Sequence, residues 1–163
     1  MASPQQSSPP LAFRIVFLYL EPLLAVNGGI LALLYPTSLL SGILPPNTFM
    51  SLTPIHNFLL IHLGSLWLFL GIIEAVVLRL TSDLNVWSAV LGAMLVSDIG
   101  LLYAPQTISP GWDIYWRADL WTKEDWMNIG LSNVLLAMRI AFLMWAWVWR
   151  NESGAKGEKK HAE

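Results

Sequence analysis

Four long apolar stretches alternate with short polar ones along the chain, and each is long enough to cross a bilayer as a helix. The first runs from about Leu11 to Tyr35, the second from Pro54 to Leu80, the third from Val86 to Tyr103 and the fourth from Thr122 to Arg150. Their ends carry helix signals. Pro54 suits a first helical position. Thr122 is followed three residues later by Asp125, a shortened capping box. Pro105 stops the third stretch, and Trp145, Trp147, Trp149 and Arg150 close the fourth with an interfacial signature. Glu21-Pro22 and Gly28-Gly29 interrupt the first stretch, where a kink and a freed backbone carbonyl are expected. An uncharged, turn-rich segment follows, expected to lie on the membrane or dip into it. Short connections predict an all-α, up-down-up-down four-helix membrane bundle with both termini on one side, side A. The opposite face is side B.

Composition agrees with the pattern. Of 163 residues, 55% are hydrophobic and 12% charged, where a soluble domain carries about 25% charged residues. Mean hydropathy is +0.55. One domain is expected over residues 11–150, between a Pro-rich tail, 1–10, and a charged tail, 151–163, both read as disordered. A net charge of −2 leaves no nucleic-acid footprint. The absence of cysteine removes disulfides, thiolate nucleophiles and thiolate metal sites. Arg14, Arg79, Arg150, Lys156, Lys159 and Lys160 fall on side A, against Arg117 and Lys123 on side B. The positive-inside rule then places both termini in the cytosol, with the endoplasmic reticulum as the expected membrane.

The chemistry lies in the polar residues inside the apolar stretches. Arg139 sits near the middle of the fourth, where a guanidinium must be hydrated or paired. At 1.5 Å per residue, Glu21 and Arg139 both lie roughly 15 Å from side A, Asp98 about 8 Å from side B and His62 about 12 Å from side B. Depth therefore pairs Arg139 with Glu21 first and Asp98 second, and pairs Arg14 with Glu74 near side A. Asn128, Ser132 and Arg139 fall on one helical stripe. Glu21, Asp98 and Arg139 are the candidate catalytic group, and His62, Asn128, Asn133, Trp112, Trp116 and Trp126 the candidate substrate-binding residues. His62 and His56 are six residues apart and share no helix face, so no metal site and no cofactor are expected. Trp112, Tyr115, Trp116, Trp121 and Trp126 crowd the connection before the fourth stretch. They fit either an amphipathic segment on the membrane surface or a lid over a side-B pocket. Asp113 and Arg117, four apart, suit a helical turn there.

The segments FRIVFLYLEPLLAVNGG and SDIGLLYAP, and the run from EDWMNIGLSN to MRIAF, resemble an uncharacterised family of small fungal four-span integral membrane proteins. The resemblance covers about residues 11–150. It implies a fungal origin and, because some members are encoded among natural-product biosynthetic genes, a biosynthetic role. In that family a His tends to follow the Asp of the third span; Gly100 and Leu101 stand there in this chain.

Two functions fit these observations. One is a cofactor-free membrane enzyme that isomerises or cyclises a hydrophobic small molecule, terpenoid or polyketide-derived, with Asp98 as acid and Glu21, held by Arg139, as anion. The reverse assignment of the two carboxyls stays open as the alternative. The other is a non-catalytic scaffold for partner biosynthetic enzymes, in which the charges lock the bundle. There Gly28, Gly29, Gly64, Gly92 and Ala93 would serve as contact surfaces. Four spans without an internal repeat make a poor transporter.

Overall fold

A computed structural model describes residues 8–44, 51–107 and 111–161. The fold is an all-α four-helix membrane bundle. Four helices are long and apolar enough to cross a membrane: Leu11–Leu34, Pro54–Leu80, Leu84–Thr107 and Lys123–Glu152, hereafter the first to fourth spans. Their outer faces expose Leu23, Ile30, Phe69, Ile72, Val96, Ile99 and Met144. Water would tolerate such a surface poorly, whereas lipid matches it.

The caps are local and polar. Thr53 accepts from the His56 backbone N–H, while the His56 ring accepts from the Thr53 N–H, so a histidine closes the capping box. This is the structural role of His56. Asp83 accepts from the Asn85 N–H at 2.8 Å and starts the third span. Thr122 and Asp125 form the reciprocal box expected from their spacing.

Two helical pairs build the bundle. The first and second spans run antiparallel with backbones close enough to exclude side chains. A Cβ on Gly64 would lie 3.0 Å from the Gly29 carbonyl oxygen, and one on Gly71 would lie 3.1 Å from Ala25 Cβ. Gly28 and Gly29 face Trp67 and Leu68 in the same seam. Gly92, by contrast, meets nothing within 4 Å, and Ala93 is exposed, so neither belongs to a contact within the chain. The third and fourth spans pair antiparallel as well, with Arg150 donating to Asn85 at 3.1 Å at the side-A end.

The two pairs join in the side-A half. Phe17, Leu18, Leu78, Leu84, Trp87, Leu91, Met94, Phe142 and Ala146 form one buried cluster drawn from all four spans. Phe13 packs edge-on against Phe142, with ring centroids 5.3 Å apart. Toward side B the buried cluster of Ala32, Leu39 and Leu60 involves only the first pair and the short helix Pro36–Ile43. Among the described residues, the third and fourth spans bury no hydrophobic side chain beyond Met94 and Phe142 in that direction. The bundle is thus solidly packed on one side of its midplane and loosely joined on the other.

Two π-helical turns depart from regular geometry, at Val16–Leu20 and Trp126–Gly130. The first precedes Glu21-Pro22. Proline has no N–H, so the Leu18 carbonyl four residues back loses its helical donor. Arg79 of the second span supplies one, with Nη2 2.7 Å from Leu18 O and its guanidinium 4.9 Å over the Tyr19 ring. The expected kink is therefore tied to its neighbour by a cation.

Three segments differ from expectation. Part of the segment after the first span is helical, Pro36–Ile43; residues 45–50 lie outside the described residues. In the aromatic connection the helical turn covers only Trp112–Tyr115, so Arg117 falls past its end. Arg117 pairs with Asp119 at 3.3 Å rather than with Asp113. The last helix continues in its backbone to His161 instead of ending at Arg150; the Ala, Glu and Lys of this stretch are good helix formers. The tail expected at 1–10 is described from residue 8 only.

Candidate functional site

Each span contributes one charged residue to a single point near the bundle's middle. Arg139 of the fourth span reaches Glu21 of the first through Nη2 and Asp98 of the third through Nη1. Glu74 of the second lies 3.9 Å from the same Nη2. The Met94 sulfur, also 3.9 Å from Nη2, closes one wall. Arg139 and Glu74 are 1% and 0% exposed, Glu21 is 7% exposed, and the Asp98 side chain is the most open at 19%.

Depth counting brought Glu21, Asp98 and Arg139 together, and the structure does so. It assigned Glu74 to Arg14, which is incorrect: Glu74 is fully buried in the central cluster, whereas Arg14 is exposed at side A. The reason is side-chain direction. Every Cα–Cβ bond in a helix leans toward that helix's N-terminus. The second and fourth spans start on side B, so Glu74 and Arg139 lean away from side A. The first and third start on side A, so Glu21 and Asp98 lean back toward it. Glu74 and Asp98, well apart in Cα depth, thereby converge on one level.

Charge does not balance within this group. Three carboxyls surround one guanidinium. Among the described residues, Glu21 Oε2, both Glu74 oxygens and Arg139 Nε find no hydrogen-bond partner. Buried polar atoms are normally paired, and departures from that rule are worth explaining. One guanidinium neutralises one carboxylate. The other two need protons or another cation in a medium that penalises net charge. No group of three His, Cys, Asp or Glu among the described residues is arranged to hold a metal ion.

The other expected residues do not gather here. His62 is exposed on the outer face, its Nδ1 2.9 Å from the Phe58 carbonyl and its ring 4.3 Å from the Phe58 ring. It precedes Glu74 by twelve residues, which rotates it roughly 120° away from the inward face. Asn128 donates to the Gly42 carbonyl, linking the start of the fourth span to the helix Pro36–Ile43. The π-turn at Trp126–Gly130 inserts an extra residue, so Asn128 leaves the stripe of Ser132 and Arg139 that regular helix geometry predicts. Asn133 instead holds the aromatic connection. Its side chain donates to Ile129 O and accepts from the Tyr115 hydroxyl, both at 2.8 Å.

That connection is braced but does not turn its tryptophans inward. Trp112 and Trp116 stack on each other at 6.1 Å and are 44% and 75% exposed. Trp126 is 56% exposed and meets Trp121 edge-on at 4.8 Å. Trp121 Nε1 donates to Ile114 O at 2.9 Å. The inward anchor is Tyr115, which the sequence placed in the aromatic group without singling it out. Tyr115→Phe should leave the Asn133 amide oxygen short of its donor, loosening the connection by about 1 kcal/mol. Faster proteolysis within residues 111–121, with helical circular dichroism unchanged, is the expected readout.

Neither a search of curated proteins nor a search of solved structures finds a match to this chain. A family model does, over residues 6–147, and this is most of the chain, including all four members of the charged cluster. The chain belongs to the family described as the domain of unknown function DUF7704.

Proposed function

We propose that this protein is a cofactor-free membrane enzyme that moves protons on a hydrophobic small molecule, of terpenoid or polyketide-like class, at the Arg139 cluster. The observation that carries this reading is the excess of carboxyls. A structural ion pair needs one acid per guanidinium; here there are three, and one of them, Asp98, is partly open.

In this reading Asp98 meets the substrate. Its carboxyl gives a proton to one carbon of an electron-rich double bond. The cation so formed loses a proton from a neighbouring carbon back to the carboxylate. The double bond moves, or a ring closes first, and the acid is regenerated without oxidant or reductant. The Asp98 carboxylate left by the transfer and Glu21, the carboxylate paired with Arg139 behind it, supply negative charge that favours the cation. The initial division of labour, Asp98 as acid against a Glu21 anion held by Arg139, is modified in one respect: Arg139 contacts both carboxyls, and Glu74 is the one that differs, having no hydrogen bond. Substrate entry from the side-B half suits the loose packing there. The excess of Lys and Arg at the side-A ends supports cytosolic termini in a membrane such as the endoplasmic reticulum.

The test is an Asp98→Asn allele expressed in place of the wild-type gene. The expected result is normal protein level in the membrane fraction with accumulation of an unconverted apolar metabolite in the lipid extract, matching the gene deletion. A second reading, a scaffold for partner biosynthetic enzymes, is favoured by the complete burial of Arg139 and Glu74. It requires an unchanged extract from Asp98→Asn and full function from a Glu21→Arg/Arg139→Glu exchange. That pair of results would remove the enzymatic reading.

A further inference from the structure

Away from the charged cluster, at the side-A end of the first two spans, lies an open cavity of about 210 Å³. Two guanidinium groups border it, Arg14 and Arg79, together with the hydroxyl-bearing Ser8, Thr81 and Ser82, and Trp87. No carboxylate is among its lining residues. The nearest in sequence, Asp83, is engaged at the start of the third span, where it accepts from the Asn85 N–H.

The two arginines are held differently. Arg79 is fixed by its bond to the Leu18 carbonyl and its place over Tyr19, so its charge is oriented before any ligand arrives. Arg14 is exposed and one helical turn before Leu18. Both lie within one turn of a span's end, the level of lipid headgroups. Two positive charges that form no salt bridge among the described residues, neighbouring hydroxyls and the apolar Leu18, Leu78 and Trp87 in the lining match a phosphate monoester attached to acyl chains. Free phosphate shares the charge but not the chains, which would lie along the exposed apolar outer faces of the spans.

We infer that this cavity binds the phosphate headgroup of an acidic phospholipid at the side-A surface. The site is separate from the acid cluster and does not depend on its chemistry. The test is native mass spectrometry of the detergent-solubilised full chain mixed with phosphatidic acid, with phosphatidylcholine, or with inorganic phosphate. Wild-type protein should retain phosphatidic acid well above phosphatidylcholine. Arg14→Gln should reduce that retention about fivefold, the weight of one basic residue at such a surface. Arg14 is exposed, so this substitution leaves the helix packing intact. Arg150→Gln, which removes an equal charge from the same side outside the cavity, should leave retention unchanged. Equal loss in both variants would reduce the effect to diffuse surface charge and overturn the site. Equal retention of the two lipids would overturn it as well. Retention of inorganic phosphate without phosphatidic acid would overturn the lipid assignment.

Discussion

Arg139→Met should destabilise the bundle by roughly 3–5 kcal/mol, the cost of leaving buried charges without their partner. The substitution preserves an apolar, unbranched stem of similar reach, so lost packing contributes little. What it removes is the only cation within reach of Glu21, Glu74 and Asp98 among the described residues. Three carboxyls would then face one another at the bundle's centre. The measurement is equilibrium unfolding in mixed detergent micelles, followed by helical signal. The companion variant makes the argument specific. Arg139→Met combined with Glu21→Gln, Glu74→Gln and Asp98→Asn should recover most of the loss, because the whole ionic group is replaced by neutral groups. A combined variant as unstable as the single one would show that Arg139 acts through shape instead.

Gly64→Val should be the most disruptive change in the apolar seam. The new Cβ alone would stand 2.9 Å from Leu33 Cγ, 3.0 Å from Ala32 Cβ and 3.0 Å from the Gly29 carbonyl oxygen. Side chains yield by changing rotamer; a backbone oxygen on a facing helix does not. The first two spans must separate, and overpacking of this kind typically costs about 1–3 kcal/mol, with valine's two further methyl groups placing it at the upper end. Gly92→Ala is the control, since nothing lies within 4 Å of its Cβ position. There alanine should be neutral or stabilising by up to about 1 kcal/mol through helix propensity. Both are read by the same unfolding titration. Equal effects at the two glycines would mean that propensity, rather than close approach, governs the seam.

Much of this architecture is readable from residue patterns because lipid imposes so few solutions. Apolar length identified the four spans to within a few residues, and Thr122 with Asp125 marked a helix start that the structure contains. Buried charge was readable for the same reason: Arg139 in an apolar stretch demands partners, and counting depth found two of three. Glu74 escaped because depth was counted at Cα, whereas a glutamate and an arginine each extend several ångströms toward their own N-terminus. His62 and Asn128 failed through rotation instead of depth. Twelve residues turn His62 away from Glu74, and a π-turn that no residue pattern announces shifts Asn128 out of register. The donor role of Arg79 was half visible. Pro22 announced a free carbonyl, but only the fold could say which side chain fills it.

The placement of one charge on each span has a consequence for how the protein is made. Ribosomal synthesis delivers the spans in order, N-terminal first. Glu21, Glu74 and Asp98 therefore reach the membrane before Arg139, their shared counter-ion, has been translated. Through that interval the glycine seam of the first two spans is what can hold a partial structure together, while the acidic positions make the early intermediate costly to leave in lipid. The fourth span then closes the bundle by neutralisation as well as by packing. Arrival of the fourth span is thus the step that supplies the three earlier carboxyls with their shared counter-ion.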